Sequence, residues 1–355
     1  MLKKVSAPQT WLAVLPGVLL DRLFGERSRF HSLTGFGHIA DWLALRGNRA
    51  WAGRFAGICA WVLAANLANA AITVTDDRGQ TLTLAKPAQR IVTLAPHVTE
   101  LMFAVGAGDK IVGTVQYSDY PEAAKAIPRI GDLRQLDMER ILAARPDLLV
   151  VWMHDAFDRQ LDILKQAGIP FFFSEPRTME QIPDTLLKLG KLAGTEARAE
   201  QAAAAFRQQL RQLKSAYQNR PVVSTFYQVW GKPLYTLNDK HIVSDAIRLC
   251  GGSNIFGALD AVAPVVSVEA VLKDNPELII SADAKNQEGA GLTQWTHYQT
   301  LLAVKNHNLI AIDGDLLNRP GPRILDGAKA LCEALDTARA HRSEAGSGNK
   351  NRAGK

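Results

Sequence analysis

Cysteine is scarce in this chain, with three among 355 residues. Cys59 lies in an apolar N-terminal stretch, whereas Cys250 and Cys332 lie in the body, each near the end of a helical pattern. Neither body cysteine has a Cys or His neighbour at the spacing of a zinc-ligand pair, which argues against a metal site there. The two residues therefore form either a single disulfide, which needs an oxidising compartment, or two buried thiols.

The central part of the chain, residues 71–340, has no excess of basic residues, although the formal net charge of the whole chain is +6. Residues 1–70 carry +5 and the tail from His341 carries +3, so residues 71–340 carry −2. This distribution disfavours a phosphate-binding surface, and we expect no nucleic acid partner. The sequence has no nucleophile elbow, no phosphate-binding glycine loop and no histidine cluster with metal spacing, so it does not indicate an enzyme.

The segment from Phe55 to Thr75 contains no charged residue and follows Arg46, Arg49 and Arg54. Its apolar part, about 14 residues, is short for a membrane span and suits the core of a signal peptide. The small residues of Ala68-Asn-Ala70 fit a signal peptidase site, which predicts export to the periplasm. If residues 1–70 are retained, they would instead tether the protein to the inner membrane.

The region before that segment has a resemblance of its own. Residues 17–64, which include LLDRLFGERSRFHSLTGFGHIADWL, resemble the opening of the membrane-embedded adenosylcobinamide-phosphate synthase of cobalamin biosynthesis. Only that opening is represented, so no synthase activity follows for this chain. The resemblance indicates either an in-frame gene fusion or a start codon assigned too far upstream.

From residue 71 onward, short β-rich runs alternate with amphipathic helical patterns, which is typical of parallel strands covered by helices. The series runs once over 71–194 and again over 221–340, and predicts an α/β fold of two Rossmann-like lobes. Residues 195–220 have no internal Gly or Pro and predict one long helix between the lobes, with Thr195 at its N-cap. The Gly/Asn/Lys-rich residues 341–355 are predicted to be disordered.

The two halves also contain matching segments. DMERILAARPDLLV around Glu139 and SVEAVLKDNPELII around Glu269 each read as a capped short helix that ends at a proline and leads into an apolar strand. Both glutamates fall in a first helical turn, where they complement the helix dipole and face water. The two glutamates either only stabilise their helices or provide one acidic docking residue in each lobe.

Several motifs together resemble the periplasmic cobalamin-binding proteins of vitamin B12 ABC importers. They are RIVTLAPHVTEL from Arg90, YSDYP from Tyr117, the two Glu-x-x-Leu units, LCGGSNIF around Cys250, and RPGPR from Arg319. The resemblance covers residues 85–340 and implies a monomer with an interlobe cleft, whose long helix limits hinge motion. It further implies an ABC permease dimer as partner and a corrinoid as the transported ligand, with no catalytic cofactor.

The resemblance also assigns roles to individual positions. Tyr117 and Trp152 would line the cleft from the first lobe, and Asp315 and Arg319 would give polar contacts from the second. Glu139 and Glu269 would dock on the transporter, and Cys250 would pair with Cys332.

Two stacking tryptophans of the family fall here on Leu133 and Ala263. Trp230, with Tyr227 and Tyr235, is predicted to replace them. His97 and His154, at strand ends that face the cleft, are either capping or surface residues or axial metal ligands. A haem or ferric-siderophore receptor of the same class stays the alternative, and a cobalamin-pathway enzyme the weaker one.

Overall fold

The computed structural model describes residues 71–132, 135–152, 158–282 and 291–352. Within these ranges, none of the helices has the length and apolar character required to cross a lipid bilayer. The described residues belong to one compact unit. We call residues 71–194 the first lobe and residues 221–340 the second lobe.

The first lobe contains a small antiparallel hairpin and a parallel sheet of four strands in the order β4-β3-β5-β6. Its strands are β1 Ile72–Thr75, β2 Thr81–Leu84, β3 Ile91–Thr93, β4 Ile111–Thr114, β5 Leu148–Trp152 and β6 Phe171–Ser174. Its helices are α1 Pro96–Ala104, α2 Met138–Ala143, α3 Asp158–Gln166 and α4 Ile182–Ala193. The sheet strands are almost entirely buried, as expected when helices cover both faces.

The second lobe repeats this arrangement, with a parallel sheet in the order β10-β7-β11-β12 and a short antiparallel hairpin, β8-β9. Its strands are β7 Val223–Gln228, β8 Trp230–Gly231, β9 Leu234–Tyr235, β10 Gly252–Asn254, β11 Leu278–Ser281 and β12 Leu309–Ala311. Its helices, which follow the long helix α5 Glu196–Tyr217, are α6 Ile242–Leu249, α7 Val268–Asp274, α8 Leu302–Lys305, α9 Gly314–Leu317 and α10 Ile324–Arg352. The predicted α/β architecture of two lobes is confirmed.

Equivalent hydrogen bonds fix the central strands of both sheets. Asp147, before β5, accepts from the backbone N–H of Arg90 at 2.8 Å. Glu277, before β11, accepts from the backbone N–H of Ser224 at 3.1 Å. Each acidic residue also donates its own N–H to the carbonyl of that same partner. The two lobes thus share their sheet order and the polar contact that sets the register of the central strands.

The long helix α5 occupies the segment that composition predicts to be a single helix. It packs on α4, where a Cβ at Gly190 would collide with that of Ala199, so the two helices approach closely. Thr195 stands at the N-cap, but its side chain makes no capping hydrogen bond. One continuous buried apolar cluster extends from the first lobe through Ala199, Ala203 and Phe206 of this helix into the second lobe.

The sequence predicts disorder from His341 onward, but the last helix of the structure extends past this residue. Helix α10 continues to Arg352. Two of its side chains bind the second lobe, which explains why the helix passes His341. The imidazole Nδ1 of His341 lies 2.7 Å from the amide oxygen of Asn308, and Arg342 pairs with Glu277 at 2.6 Å. Cys332 of this helix forms a disulfide with Cys250 at the end of α6, so the two-thiol alternative is wrong.

Candidate functional site: a cleft between the two lobes

A pocket lies between the lobes, beyond the carboxyl ends of their parallel strands. Trp152 ends β5, and Glu175 to Arg177 directly follow β6. From the second lobe, the wall is formed by Lys240 to Ile242 at the start of α6, together with Val262 and Pro320. Ligands of open α/β sheets gather at this edge, because the loops that follow each strand converge there.

The loop after β4 presents Tyr117 at the mouth of the first lobe. Tyr117 has φ of 66° and an exposed fraction of 66%. Such a left-handed backbone is uncommon for a bulky residue and is tolerated where the surrounding structure holds it. Arg129 supplies that support, since it donates to the carbonyl of Ser118 at 3.1 Å and to the carboxylate of Asp119 at 2.8 Å.

Trp152 and His97 form the deeper part of the first-lobe wall. Their rings meet edge to face at 5.6 Å, and Trp152 is half-buried. His97 is buried, which lowers its pKa to about 3, with the nearby Arg319 acting in the same direction. Its Nε2 has no hydrogen-bond partner among the residues that the structure describes. The sequence leaves His97 as a capping residue, a surface residue or an axial metal ligand, and its burial excludes the surface role.

Helix α1, which carries His97, is fixed to the sheet by three buried threonines. The hydroxyl of Thr99 lies 2.8 Å from those of both Thr93 on β3 and Thr114 on β4. Thr93 and Thr114 are themselves 2.9 Å apart. Since buried hydroxyls need partners, this triangle sets the position of the start of α1 at the strand ends.

The floor of the cleft contains a cluster of charged side chains from both lobes. Glu100 of α1, whose side chain is 2% exposed, accepts from Arg323 at 2.6 and 2.8 Å and from Arg319 at 3.1 Å. Arg319 also pairs with Asp315 at 2.7 Å. The guanidinium of Arg323 stacks over the ring of Tyr120 at 4.1 Å. The resemblance implies polar contacts from Asp315 and Arg319, whereas no sequence motif singled out Glu100 or Arg323.

Two aromatic side chains of the second lobe stand on the β8-β9 hairpin, just after β7. Trp230 and Tyr235 are directly opposite each other in the antiparallel pair, so their rings share one face. They are 37% and 36% exposed, respectively.

Tyr227, which the sequence grouped with them, is fully buried on β7, and its hydroxyl donates to Asn318 at 2.6 Å. That part of the prediction is wrong, since β7 is covered on both faces. Ala263 is exposed and adds no ring.

Other polar side chains near the pocket were not singled out from the sequence. Lys240 lies beside His241, whose Nδ1 caps α6 by accepting from the N–H of Val243 at 3.2 Å. Burial lowers the pKa of His241 to about 4. Burial also raises the pKa of Glu175. The alternation of strands and helices does not predict which loop residues line the pocket, because that depends on how the two lobes meet.

Glu139 and Glu269 lie away from this pocket, on the exposed surfaces of α2 and α7. Asp137 caps α2 by accepting from the N–H of Arg140, and Ser267 caps α7 in the same way from Ala270. The pKa of Glu269 is lowered by hydrogen bonds to its own backbone N–H and to Ser267. The predicted capped short helices are therefore present in both lobes.

Metal ligation is the remaining question about the cleft. In the described ranges, no group of three or more His, Cys, Asp or Glu side chains could hold a metal ion. His154 and Leu133, the other positions discussed from the sequence, lie outside the described residues. The described site is thus a set of aromatic rings and hydrogen-bonding groups.

The fold and this interlobe cleft define a class of protein. Residues 91–316 match the family model described as periplasmic binding protein. The chain belongs to the periplasmic binding protein family.

More particular relatives share this fold along almost their whole length. The Vitamin B12-binding protein of Vibrio cholerae is 37% identical over 253 residues, which is 71% of this chain and 91% of the relative. The crystal structure of a periplasmic vitamin B12 binding protein from Vibrio cholerae has a TM-score of 0.66 at 36% identity and covers 71% of this chain and 98% of that one. A periplasmic heme binding protein from Pseudomonas aeruginosa is also similar, at 28% identity with a TM-score of 0.61, and covers 70% and 92%.

Proposed function

We propose that this protein captures cobalamin or a related corrinoid in the interlobe cleft and delivers it to an ABC transporter permease. The observation that carries the proposal is the 37% identity over 253 residues to the Vitamin B12-binding protein of Vibrio cholerae. The corrinoid is a cargo in this proposal, and the protein acts as a binding protein without catalysing a reaction.

The chemistry of the cleft supports a corrinoid as ligand. A corrin is a wide, flat ring fringed with amide groups, so it needs apolar walls and a few hydrogen-bonding partners. Trp152 supplies a ring to the pocket from the first lobe. The exposed rings of Tyr117, Trp230 and Tyr235 lie on the loop after β4 and on the hairpin after β7, and we expect them to extend this apolar surface. Arg319 and Asp315 supply polar atoms that can meet the amides.

We also propose that the protein works in the periplasm as a monomer. An oxidising compartment agrees with the Cys250–Cys332 disulfide. Residues 1–70 are proposed to direct export, and if they are retained they would tether the protein to the inner membrane. Glu139 and Glu269 are proposed to meet basic residues of the permease dimer, one from each lobe, because both are exposed on equivalent helices.

Titration calorimetry with four ligands tests the proposed cargo. The purified protein is titrated with cyanocobalamin, cobinamide, haem and a ferric hydroxamate siderophore. We expect heat from the two corrinoids and none from the siderophore. The 28% identical heme binding protein makes haem the second candidate, and tight binding of haem alone would replace the corrinoid proposal.

A further inference from the structure

The buried carboxylate of Glu100 lies where the two lobes meet. We propose that Glu100 is a positioning residue, which holds Arg319 and Arg323 of the opposite lobe and thereby presents Arg319 to the ligand. This inference rests on the proposed function, because it assigns the residue that prepares the polar side of the same cleft.

The contacts of Glu100 use both of its carboxylate oxygens. Oε1 accepts from Arg319 Nη1 at 3.1 Å and from Arg323 Nη2 at 2.6 Å, and Oε2 accepts from Arg323 Nε at 2.8 Å. Arg323 therefore makes a bidentate contact with the carboxylate, which fixes the plane of its guanidinium. Arg319 uses one nitrogen for Glu100 and another for Asp315. Further N–H donors of its five can meet a ligand amide.

Three members of the cluster are largely buried, and the formal charges of all four members balance. The side chains of Glu100, Arg319 and Arg323 are 2%, 16% and 19% exposed, and Asp315 is 46% exposed. Two carboxylates face two guanidiniums, so removal of the Glu100 charge would leave two neighbouring cations with a single exposed anion. Buried charges without a partner are strongly unfavourable, so the two arginines would turn toward water.

The backbone around the cluster shows that this contact joins the lobes closely. The RPGPR loop crosses to α1, where a Cβ placed on Gly321 would lie 3.6 Å from the Cβ of His97. Arg323 also reaches the ring of Tyr120, next to the Tyr117 loop. The same carboxylate thus orients the ligand-facing arginine and holds the second-lobe loop against the first lobe.

A double-mutant cycle on corrinoid affinity tests whether Glu100 acts through Arg319. The variants are Glu100→Gln, Arg319→Gln and their combination, with cyanocobalamin binding followed by calorimetry. Each single change is expected to weaken binding about tenfold, which is the loss of one charge-assisted hydrogen bond. The double variant is expected to bind no more weakly than Arg319→Gln, because the two side chains then contribute as one unit. Losses that multiply would overturn the proposal, as would unchanged affinity in Glu100→Gln.

The matched control is Glu122→Gln, since Glu122 is exposed and pairs with Lys125 of its own lobe. It is expected to change affinity by less than about twofold.

Hydrogen exchange of the ligand-free protein provides a readout that needs no corrinoid. Amides of α1 and of Arg319, Gly321 and Arg323 should exchange faster in Glu100→Gln than in the unchanged protein. The same amides should exchange at unchanged rates in Glu122→Gln. Equal exchange in Glu100→Gln would contradict the contact, whereas faster exchange without corrinoid binding in the unchanged protein would contradict only the proposed function.

Discussion

The two lobes share a scaffold and differ in the chemistry attached to it. Both have four parallel strands in the same order, with Asp147 and Glu277 making the same contact to a neighbouring strand. The first lobe then presents Tyr117 on a loop with a left-handed backbone, whereas the second presents Trp230 on a hairpin. The repeat decides where a ligand lies, and the loops that follow the strands decide what the ligand contacts.

The lobes also differ in how they are held together internally. The disulfide between Cys250 and Cys332 lies within the second lobe and closes a sequence separation of 82 residues. The first lobe relies on packing and on the threonine triangle of α1. Substitutions in each lobe test this difference.

Removal of the disulfide should have the largest effect on stability. The variant Cys250→Ala/Cys332→Ala is expected to lower the free energy of unfolding by roughly 4 kcal/mol, because the unfolded chain is no longer cross-linked. Urea denaturation measures this change. Hydrogen exchange should accelerate mainly in the second lobe. An equal acceleration in both lobes would contradict a stabilising role of the disulfide that is confined to the second lobe.

Acidification should destabilise the protein through one histidine in each lobe. The pKa of His241 is about 4 and that of His97 about 3, both below the ordinary value of 6.5. As pH falls from 6.5 toward 4, the unfolded chain binds protons that the folded chain does not, so stability decreases. We expect His241 to account for about 2 kcal/mol of this loss by pH 5.

The variant His241→Asn isolates that contribution. Asparagine can still cap α6 but does not titrate. Urea denaturation between pH 7 and pH 5 should therefore show a shallower loss of stability than in the unchanged protein. The exposed His297→Asn is the control and should keep the original slope. An unchanged slope in His241→Asn would show that this group does not carry the effect.

The change Tyr117→Ala tests the first-lobe wall. It should weaken corrinoid binding about tenfold, because one aromatic contact with the flat ligand is lost. The melting temperature should stay close to that of the unchanged protein, since the side chain is exposed. Leu142→Ala, an exposed apolar residue on α2, is the matched control for calorimetry. Equal effects of the two variants would remove Tyr117 from the site.

The change Trp230→Ala tests the second-lobe hairpin and should have a smaller effect. A loss of about threefold to fivefold in affinity is expected, because the ring is less exposed than Tyr117 and bound to its own hairpin. Calorimetry of Trp230→Ala beside Tyr235→Ala would rank the two rings. A loss larger than that of Tyr117→Ala would make the hairpin the main wall.

The changes Glu139→Gln and Glu269→Gln should have the smallest effect on the ligand. Corrinoid affinity is expected to stay within about twofold, since both residues lie on exposed helices away from the pocket. Transport in vesicles that contain the permease should fall several-fold for either variant, because each removes one interfacial charge. The control is again Glu122→Gln. A decrease for one glutamate alone would show that the lobes dock unequally.

Much of the scaffold could be predicted from local patterns. Apolar runs and proline-terminated helices give β5 and β11, and the uninterrupted composition of residues 196–217 gives α5. These features depend on neighbours in sequence, which a single chain displays directly. The capped helices of Glu139 and Glu269 are recognised for the same reason.

The floor of the site could not be predicted in this way. Glu100 and Arg323 are separated by 223 residues, and only the closure of the lobes brings them together. A signal was nonetheless present, since Glu100 is an acidic residue within an apolar helix, and Arg323 ends the RPGPR motif. Tyr227 was misplaced because a strand buried on both faces shows no alternation that separates its cleft side from its core side.

The disulfide has a mechanical consequence for the RPGPR loop. Helix α10 begins one residue after Arg323, and Cys332 lies about two turns further along it. A force on the RPGPR loop is therefore transmitted along α10 to a covalent anchor on α6, while Glu100 restrains the loop from the other side. In a reducing compartment the Cys250–Cys332 disulfide would not form, and α10 would not be covalently linked to α6. The loop would therefore become rigid only in an oxidising compartment.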